Sequence, residues 1–545
     1  MSRPSWKSQN VSDVHAFNTQ MPTSYQPWKM WPQLAWLLCF FFFFGKAFAA
    51  FYYPSPQVAF LEHILVDNWG AYASNFSSAI TPCSNYVTQI GEPAVKSGRT
   101  TAAQWIRVAF HDFVTANVTA GTGGLDASIG FETLREENSG SAFNDSFIFW
   151  RPFVSDAVSM ADLVAIGTVM SMGLCGGHKV PYQPGRVDAL EADPTTGVPA
   201  PETSLEETLL FFDRAGLNRP ESIGLTACGH TMGSVHHGGF PQVVPASAVM
   251  PNNTNGGISF DTTRAVFDGK VVHEYIDWEG NKGGPLVATD NVTTRSDLRL
   301  YESDGNATMQ SLYDMGDGFE DVCVSLMSRM INTVPVQVEL QDVIRPLTVK
   351  PINVTFDLDS LGNLFLSGNI RLTVNHAGNA GSSVFGTLKP EADEGSSIYG
   401  ITTYYPFYLP LAPNTTYTSL NITGGVFDTQ VFPIQNTVFV VPSLTTITGS
   451  LINFTIAAKP GKFPSSASVG VAGPIGQQGT LGPKLIRQVV PATLALEDTG
   501  GGSGYELWQG SADLEAPFTG AVSISVAIAG AVHDILYLSA GVAGW

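Results

Sequence analysis

Residues 105–112, Trp-Ile-Arg-Val-Ala-Phe-His-Asp, carry the most suggestive chemistry in the chain. Arg107, Phe110 and His111 stand at i, i+3 and i+4, so a helix puts all three on one face. That face offers a fixed cation, an aromatic wall and a base that titrates near neutrality. An Arg and a His aimed at one spot suit a reaction that moves a proton while negative charge builds nearby. Taken alone, these residues equally describe a partly buried helix whose Arg and His are satisfied by neighbours.

Further groups follow. Asp112 precedes Gly124, Asp126 and Ser128 on a Gly-rich loop, a set of hard oxygen ligands suited to Ca²⁺ and equally an acidic turn. Glu132 and Asn138 come next; an amide there can fix one tautomer of His111 by accepting from its second ring nitrogen. His230, in Ala227-Cys228-Gly229-His230-Thr231, reads either as a metal ligand or as a core histidine, whereas His236 and His237 read as surface residues. Asp261 and Asp268, with Thr263, the Val266 carbonyl and Thr231, form a second oxygen-rich set. Asp297 supplies a carboxylate able to accept from the free N–H of a ligating His.

These residues need elements to position them. Helical patterns cover 102–113, 159–174, 205–215 and 318–331. After Pro335 the texture changes to period-two alternation: Ile370, Leu372 and Val374, then Phe454 and Ile456, then Val522, Ile524, Val526 and Ile528. The expectation is a mainly α domain over 50–335, followed over 340–545 by an all-β sandwich-like region, as one domain or two small ones. No internal repeat is evident.

Composition narrows the setting. Only 14% of residues are charged and the net charge is −20, which excludes nucleic acid and anionic membrane as partners. An apolar run over 32–44, then Ala47-Phe48-Ala49, reads as a signal peptide over 1–49 with a long n-region; an uncleaved anchor is the alternative. The run is too short for a comfortable membrane span. Cys39 leaves with the signal, and Cys83, Cys175, Cys228 and Cys323 then admit three pairings. Asn-x-Ser/Thr acceptors from Asn75 to Asn453 suit the secretory route. The expected location is extracellular.

In register from about residue 83 to 330, the chain resembles the haem peroxidases of the plant, fungal and bacterial superfamily, especially the fungal secretory (class II) enzymes and their ascomycete hybrid relatives. The resemblance rests on Arg107-x-x-Phe110-His111-Asp112, Gly124-x-Asp126-x-Ser128, Glu132 with Asn138, Ala161-Asp162-Leu163, Gly185-Arg186-x-Asp188, Ala227-Cys228-Gly229-His230-Thr231 and Phe260-Asp261-x-Thr263 with Asp268. It implies two helical halves sandwiching haem b. His111 would be the distal base, Arg107 the distal cation, Asn138 the residue orienting His111, and Phe110 the distal aromatic. His230 would be the axial ligand, with Asp297 as its hydrogen-bond partner and Phe260 as the proximal aromatic. Asp112, Gly124, Asp126 and Ser128 match one calcium site; Thr231, Asp261, Thr263, Val266 and Asp268 match a second. The implied disulfides are Cys83–Cys175 and Cys228–Cys323. The implied reaction is reduction of hydrogen peroxide with one-electron oxidation of small phenolic or aromatic donors through a ferryl intermediate.

Certain family features are absent. Thr100, Gln104 and His236 occupy the positions where manganese peroxidases carry acids, and Leu225 stands where lignin peroxidases carry an exposed Trp. Phe110 and Phe260 replace the tryptophans of the intracellular class. The alternative function is a catalytically weak secreted cell-wall-binding protein that retains the scaffold. The β region would then touch polysaccharide through Tyr404, Tyr405, Phe407 and Tyr408, unless those rings are core. A zinc hydrolase ranks third, since His273-Glu274 is not followed by a second His at ligand spacing.

Overall fold

The computed structural model describes residues 51–70, 72–88, 93–374, 395–412, 415–424, 427–496 and 504–539. The expected signal over 1–49, Cys39 and the acceptor Asn414 lie outside the described residues.

Helices fill the first part: α1 (Pro56–Val66), α2 (Thr101–Phe113), α3 (Ala142–Trp150), α4 (Met160–Leu174), α5 (Leu205–Arg214), α6 (Arg219–Gly229), α7 (Lys270–Ile276), α8 (Pro285–Ala288), α9 (Ser296–Tyr301), α10 (Ala307–Asp314) and α11 (Gly318–Asn332). Their starts follow from capping chemistry. Ser159 and Ser204 accept from the third helical N–H of α4 and α5, and Asn218 with Glu221 forms a reciprocal capping box on α6. The central helix α4 is buried along nearly its whole length. It packs tightly on α2 because Gly167 has no side chain: a Cβ there would lie 3.0 Å from Trp150 and 3.4 Å from Trp105. The buried Asp162–Arg186 ion pair (3.0 Å) and Arg186 Nε donating to Ile331 O (3.0 Å) tie α4 to the end of α11. Asp188 caps α4 by accepting from Met160 and Ala161 N–H. Disulfides Cys83–Cys175 and Cys228–Cys323 are both formed, the second clamping α6 to α11.

Apart from a small pair, β1 (Ser234–His236) with β2 (Gly257–Ser259), strands belong to the C-terminal part, and all pair antiparallel. One sheet has the order β3-β4-β6-β5, from β3 (Val349–Leu358), β4 (Leu364–Val374), β5 (Gly395–Ser397) and β6 (Gly400–Pro410). The hairpin β7 (Ser419–Gly424) with β8 (Phe427–Pro433) shares an apolar core with it, through Ile422 and Phe432. Two further sheets make a sandwich. The first joins β10 (Thr446–Thr448), β11 (Leu451–Ala458), β15 (Glu506–Asp513) and β14 (Thr493–Leu496), with β9 (Val438–Val440) also on β11. The second runs β13 (Lys484–Val490), β12 (Ala467–Ile475), β16 (Ala521–Ile528) and β17 (Ala531–Ser539). Period-two alternation explains their packing: Ile452, Phe454 and Ile456 of one sheet meet Val469, Val471, Val522, Ile524 and Val526 of the other.

The helical and β parts are joined by buried charge. Glu62 and Asp67, on and just after α1, meet Lys350 of β3 and Arg371 of β4: Glu62–Lys350 is 3.0 Å, Arg371–Asp67 is 3.0 Å, and Arg371 also bonds Glu62. Tyr404 of β6 donates to Asp67 at 2.7 Å. Burial opposes ionisation of Asp67, yet Arg371, His63 and Tyr404 together hold its carboxyl down at about 2. Tyr404, Tyr405 and Phe407 are buried in the fold, so three of the four aromatics considered for polysaccharide are core; Tyr408 is 59% exposed.

Candidate active site

Helix α2 turns Trp105, Val108, Ala109 and Phe113 into the core and leaves Arg107 and Phe110 half-buried, with His111 buried. His111 Nδ1 lies 2.7 Å from Asn138 Oδ1. The Asn138 amide is itself oriented, because its Nδ2 donates to Glu132 O at 3.0 Å. Oδ1 must therefore accept, which places the His111 proton on Nδ1 and leaves Nε2 as a lone-pair base. Burial, and after it the charge of Arg107, push the His111 pKa well below its ordinary value, with Asn138 acting in the opposite sense. The imidazole is thus neutral at neutral pH. Arg107 lies over the Phe143 ring at 4.9 Å, and Phe143 meets His111 edge-on at 5.3 Å, so one ring of α3 packs against both. Desolvation and the nearby Arg99 lower the Arg107 guanidinium to about 10, still charged at neutral pH.

The second histidine closes α6. His230 occupies the C-terminal cap position, its Nδ1 2.6 Å from Asp297 Oδ2 and its ring stacked on Phe260 at 4.1 Å with 6° between planes. Its side chain is 29% exposed although Asp297 is buried, and no hydrogen bond to Nε2 forms among the described residues. One ring nitrogen is held by a carboxylate and the other is available to a metal. A ring stacked against aromatic carbon and an open nitrogen fit haem iron, which needs one protein nitrogen and a flat apolar bed. The two histidines stand on neighbouring helices. Beyond His230, Gly233 has φ +94° and lies so near α2 that a Cβ would sit 2.7 Å from Ala103, one turn before Arg107.

His236 departs from the expectation of a surface residue. It is half-buried, its Nε2 3.1 Å from Gly98 O, and its pKa is pushed down to about 4 by burial first, then Arg99, with Arg107 and Arg264 adding. His237 is likewise held, with Nδ1 2.7 Å from Val244 O. Sequence reading missed both because the partners are backbone carbonyls, which leave no trace in residue type.

The oxygen-rich sets also assemble. Asp112, fully buried, accepts from the N–H groups of Asp126 (3.1 Å), Ala127 (2.8 Å) and Ile129 (3.0 Å). Ser128 N–H donates to Asp126 at 3.0 Å, and Gly124 adopts φ +107° where a Cβ would meet Thr333 O at 2.5 Å. Asp193 joins them unforeseen, accepting from Thr115 Oγ1 at 2.5 Å. Burial and repulsion from neighbouring carboxylates raise Asp112 well above the usual range and Asp126 to about 7, while burial alone raises Asp193. On the other side Thr263 donates to Asp261 (2.8 Å from N, 3.1 Å from Oγ1) and lies 3.2 Å from Asp268 Oδ1; Thr231 bonds the Asp268 backbone; Val266 N–H donates to Thr263 O at 2.8 Å. Asp261 Oδ2 is buried without a partner, and burial followed by Asp268 raises this carboxyl to about 7. Both sets are short of positive charge. Among the described residues, however, no three His, Cys, Asp or Glu side chains form a ready metal cluster.

Comparison with known proteins points the same way. Residues 87–314 match the peroxidase family. A WSC domain-containing protein of Arthroderma benhamiae is 40% identical over 318 residues, covering 57% of this chain and 42% of its own length. The peroxisomal L-ascorbate peroxidase 5 of Arabidopsis thaliana is 33% identical over 145 residues, 26% of this chain and 51% of that protein. A mitochondrial cytochrome c peroxidase of Cryptococcus neoformans is 29% identical over 136 residues, 24% of this chain and 36% of that protein. The chain thus spans about half, or less, of the length of these relatives. Residues 87–314 form a domain of the haem peroxidase superfamily, and the chain continues beyond it into antiparallel β sheets.

Proposed function

We propose that the protein is an extracellular haem peroxidase of the fungal secretory kind, using hydrogen peroxide to oxidise small phenolic or aromatic donors one electron at a time. The observation that carries this reading is His111: a neutral base with Nδ1 committed to Asn138 at 2.7 Å, packed with Arg107 around one aromatic ring. His230 would hold haem b through Nε2, and Asp297, accepting from Nδ1–H, keeps that nitrogen electron-rich. Bound haem would supply the iron at which peroxide is reduced and the capacity to take single electrons from a donor.

The side chains do the rest. His111 Nε2 takes a proton from peroxide and returns it to the oxygen that leaves as water. Arg107 stabilises the negative charge that develops on that oxygen, in a pocket where few waters compete. Asn138 keeps the lone pair of His111 aimed through both events. Phe110 and Phe260 keep the two sides apolar. The test is oxidation of a simple phenol by the purified, haem-loaded protein: His111→Leu should slow reaction with peroxide by roughly 10²–10⁴-fold while haem remains bound. A variant as fast as the parent would remove His111 from its role.

Calcium fits the same reading. Asp112, Gly124, Asp126 and Ser128 would hold one ion beside α2, and Thr231, Asp261, Thr263, Val266 and Asp268 a second beside His230, stiffening both loops. Chelation should lower the melting temperature, and restoring calcium to 100 times its Kd should return about 2.7 kcal/mol per site. A melting curve indifferent to chelator would dismiss both ions. A cell-wall-binding role for the β region is not favoured, since Tyr408, stacked on Phe365 at 5.1 Å, is the exposed one of its four candidate rings.

A further inference from the structure

The loop between β12 and β13, residues 476–483, belongs to the β sandwich in sequence but touches the helical domain beside His111. Leu481 N–H donates to Gly130 O at 2.9 Å, and Leu481 O accepts from Arg151 Nε at 2.7 Å. The Leu481 side chain packs on the core of the helical domain. The approach at Gly130 is close: a Cβ would stand 3.0 Å from Thr480 Oγ1, 3.0 Å from Phe147 and 3.3 Å from Gly482 N. The loop is braced internally, with Gly482 N–H donating to Thr480 Oγ1 and Gln477 Nε2 to Gly482 O. A second anchor lies next to it on β16. Ala521 N–H donates to Val154 O at 3.0 Å and Ser523 Oγ to Asp156 at 2.7 Å, in the segment joining α3 to α4.

Both partners of Leu481 lead to the same place. Gly130 follows Ile129, whose N–H donates to Asp112, and precedes Glu132, whose carbonyl orients the Asn138 amide on His111. Arg151 follows α3, whose Phe143 packs on Arg107 and His111, and whose Phe147 packs under Gly130. One backbone amide and one carbonyl of the β region thus restrain both supports of the candidate distal pair.

We infer that the 476–483 loop is a positioning element for Arg107 and His111: through Gly130 it sets Asn138, and through Arg151 it sets α3 and Phe143. The C-terminal region then completes the site from outside the peroxidase domain. This rests on the peroxidase reading only for its kinetic consequence, because the restraint itself can be measured without haem.

The experiment compares full-length Leu481→Pro, which lacks the N–H, with Leu481→Ala, which keeps it, and Arg151→Met with Arg151→Lys. Loss of one of these partly buried hydrogen bonds should speed amide exchange over 128–150 by roughly tenfold in Leu481→Pro and Arg151→Met. Exchange should stay near parental in Leu481→Ala, and Arg151→Lys should recover most of the protection. In the haem-loaded protein the same two variants should slow the peroxide step by about tenfold and leave the donor-oxidation step unchanged. Should Leu481→Pro fail to fold, the Arg151 pair decides alone. Faster exchange confined to 476–490, or equal behaviour of the Pro and Ala variants, overturns the inference. If the parent takes up no haem, the peroxidase reading falls while the exchange result still decides this one.

Discussion

His111 draws its character from what surrounds it more than from its ring. Burial and the positive charge of Arg107 both penalise a second proton, so the folded pKa lies below the ordinary value of 6.5. The sign of the pH dependence follows. The base is available above the depressed pKa and lost as pH falls through it, so the acid limb of the peroxide rate should lie below pH 6.5. Rapid mixing with peroxide across the acid range checks this; an acid limb above 6.5 would contradict it. Arg107 and His111 stand out through their helical spacing, but Asn138, 27 residues from His111, is assigned to it through the family resemblance. Asp193 and His236 do not stand out, since Asp193 is bound by Thr115 from 78 residues away and His236 by the Gly98 carbonyl.

The apolar pattern predicts helices over 159–174 and 205–215, and Ser159 and Ser204 cap the helices that form there. Period-two alternation likewise located β4, β11 and β16. Neither signal says which element will cover another. Tyr404 is expected to be core and is, but its partner, Asp67, lies 337 residues away and accepts its hydroxyl proton. The charged contact between α1 and the β3–β4 pair is correspondingly invisible in sequence and large in effect. Arg371→Met leaves Glu62 and Asp67 buried with reduced compensation and should destabilise the protein by about 3–5 kcal/mol. Denaturant titration measures it; a loss within the error of the parent value would show the network to be dispensable. Asp67 adds an acid dependence, because its folded pKa of about 2 lies below the ordinary 3.8. Its stabilisation is present above 3.8 and fades as pH falls toward 2.

On the scale of the whole chain, the β sheets keep cores of their own, while Ile344, Tyr537, Leu481 and Ile535 reach across to join the core of the helical domain. Contacts from the β region thus reach Gly130 and Arg151, beside the elements that support His111. In the proposed arrangement His230 and His111 flank one haem, the first holding it and the second working beside it. Titrating the purified full-length protein with haem, and following the Soret absorption, tests this most directly. The parent and His111→Leu should each bind one equivalent, and His230→Ala should lose that binding. Equal binding by all three, or none by the parent, would contradict the account.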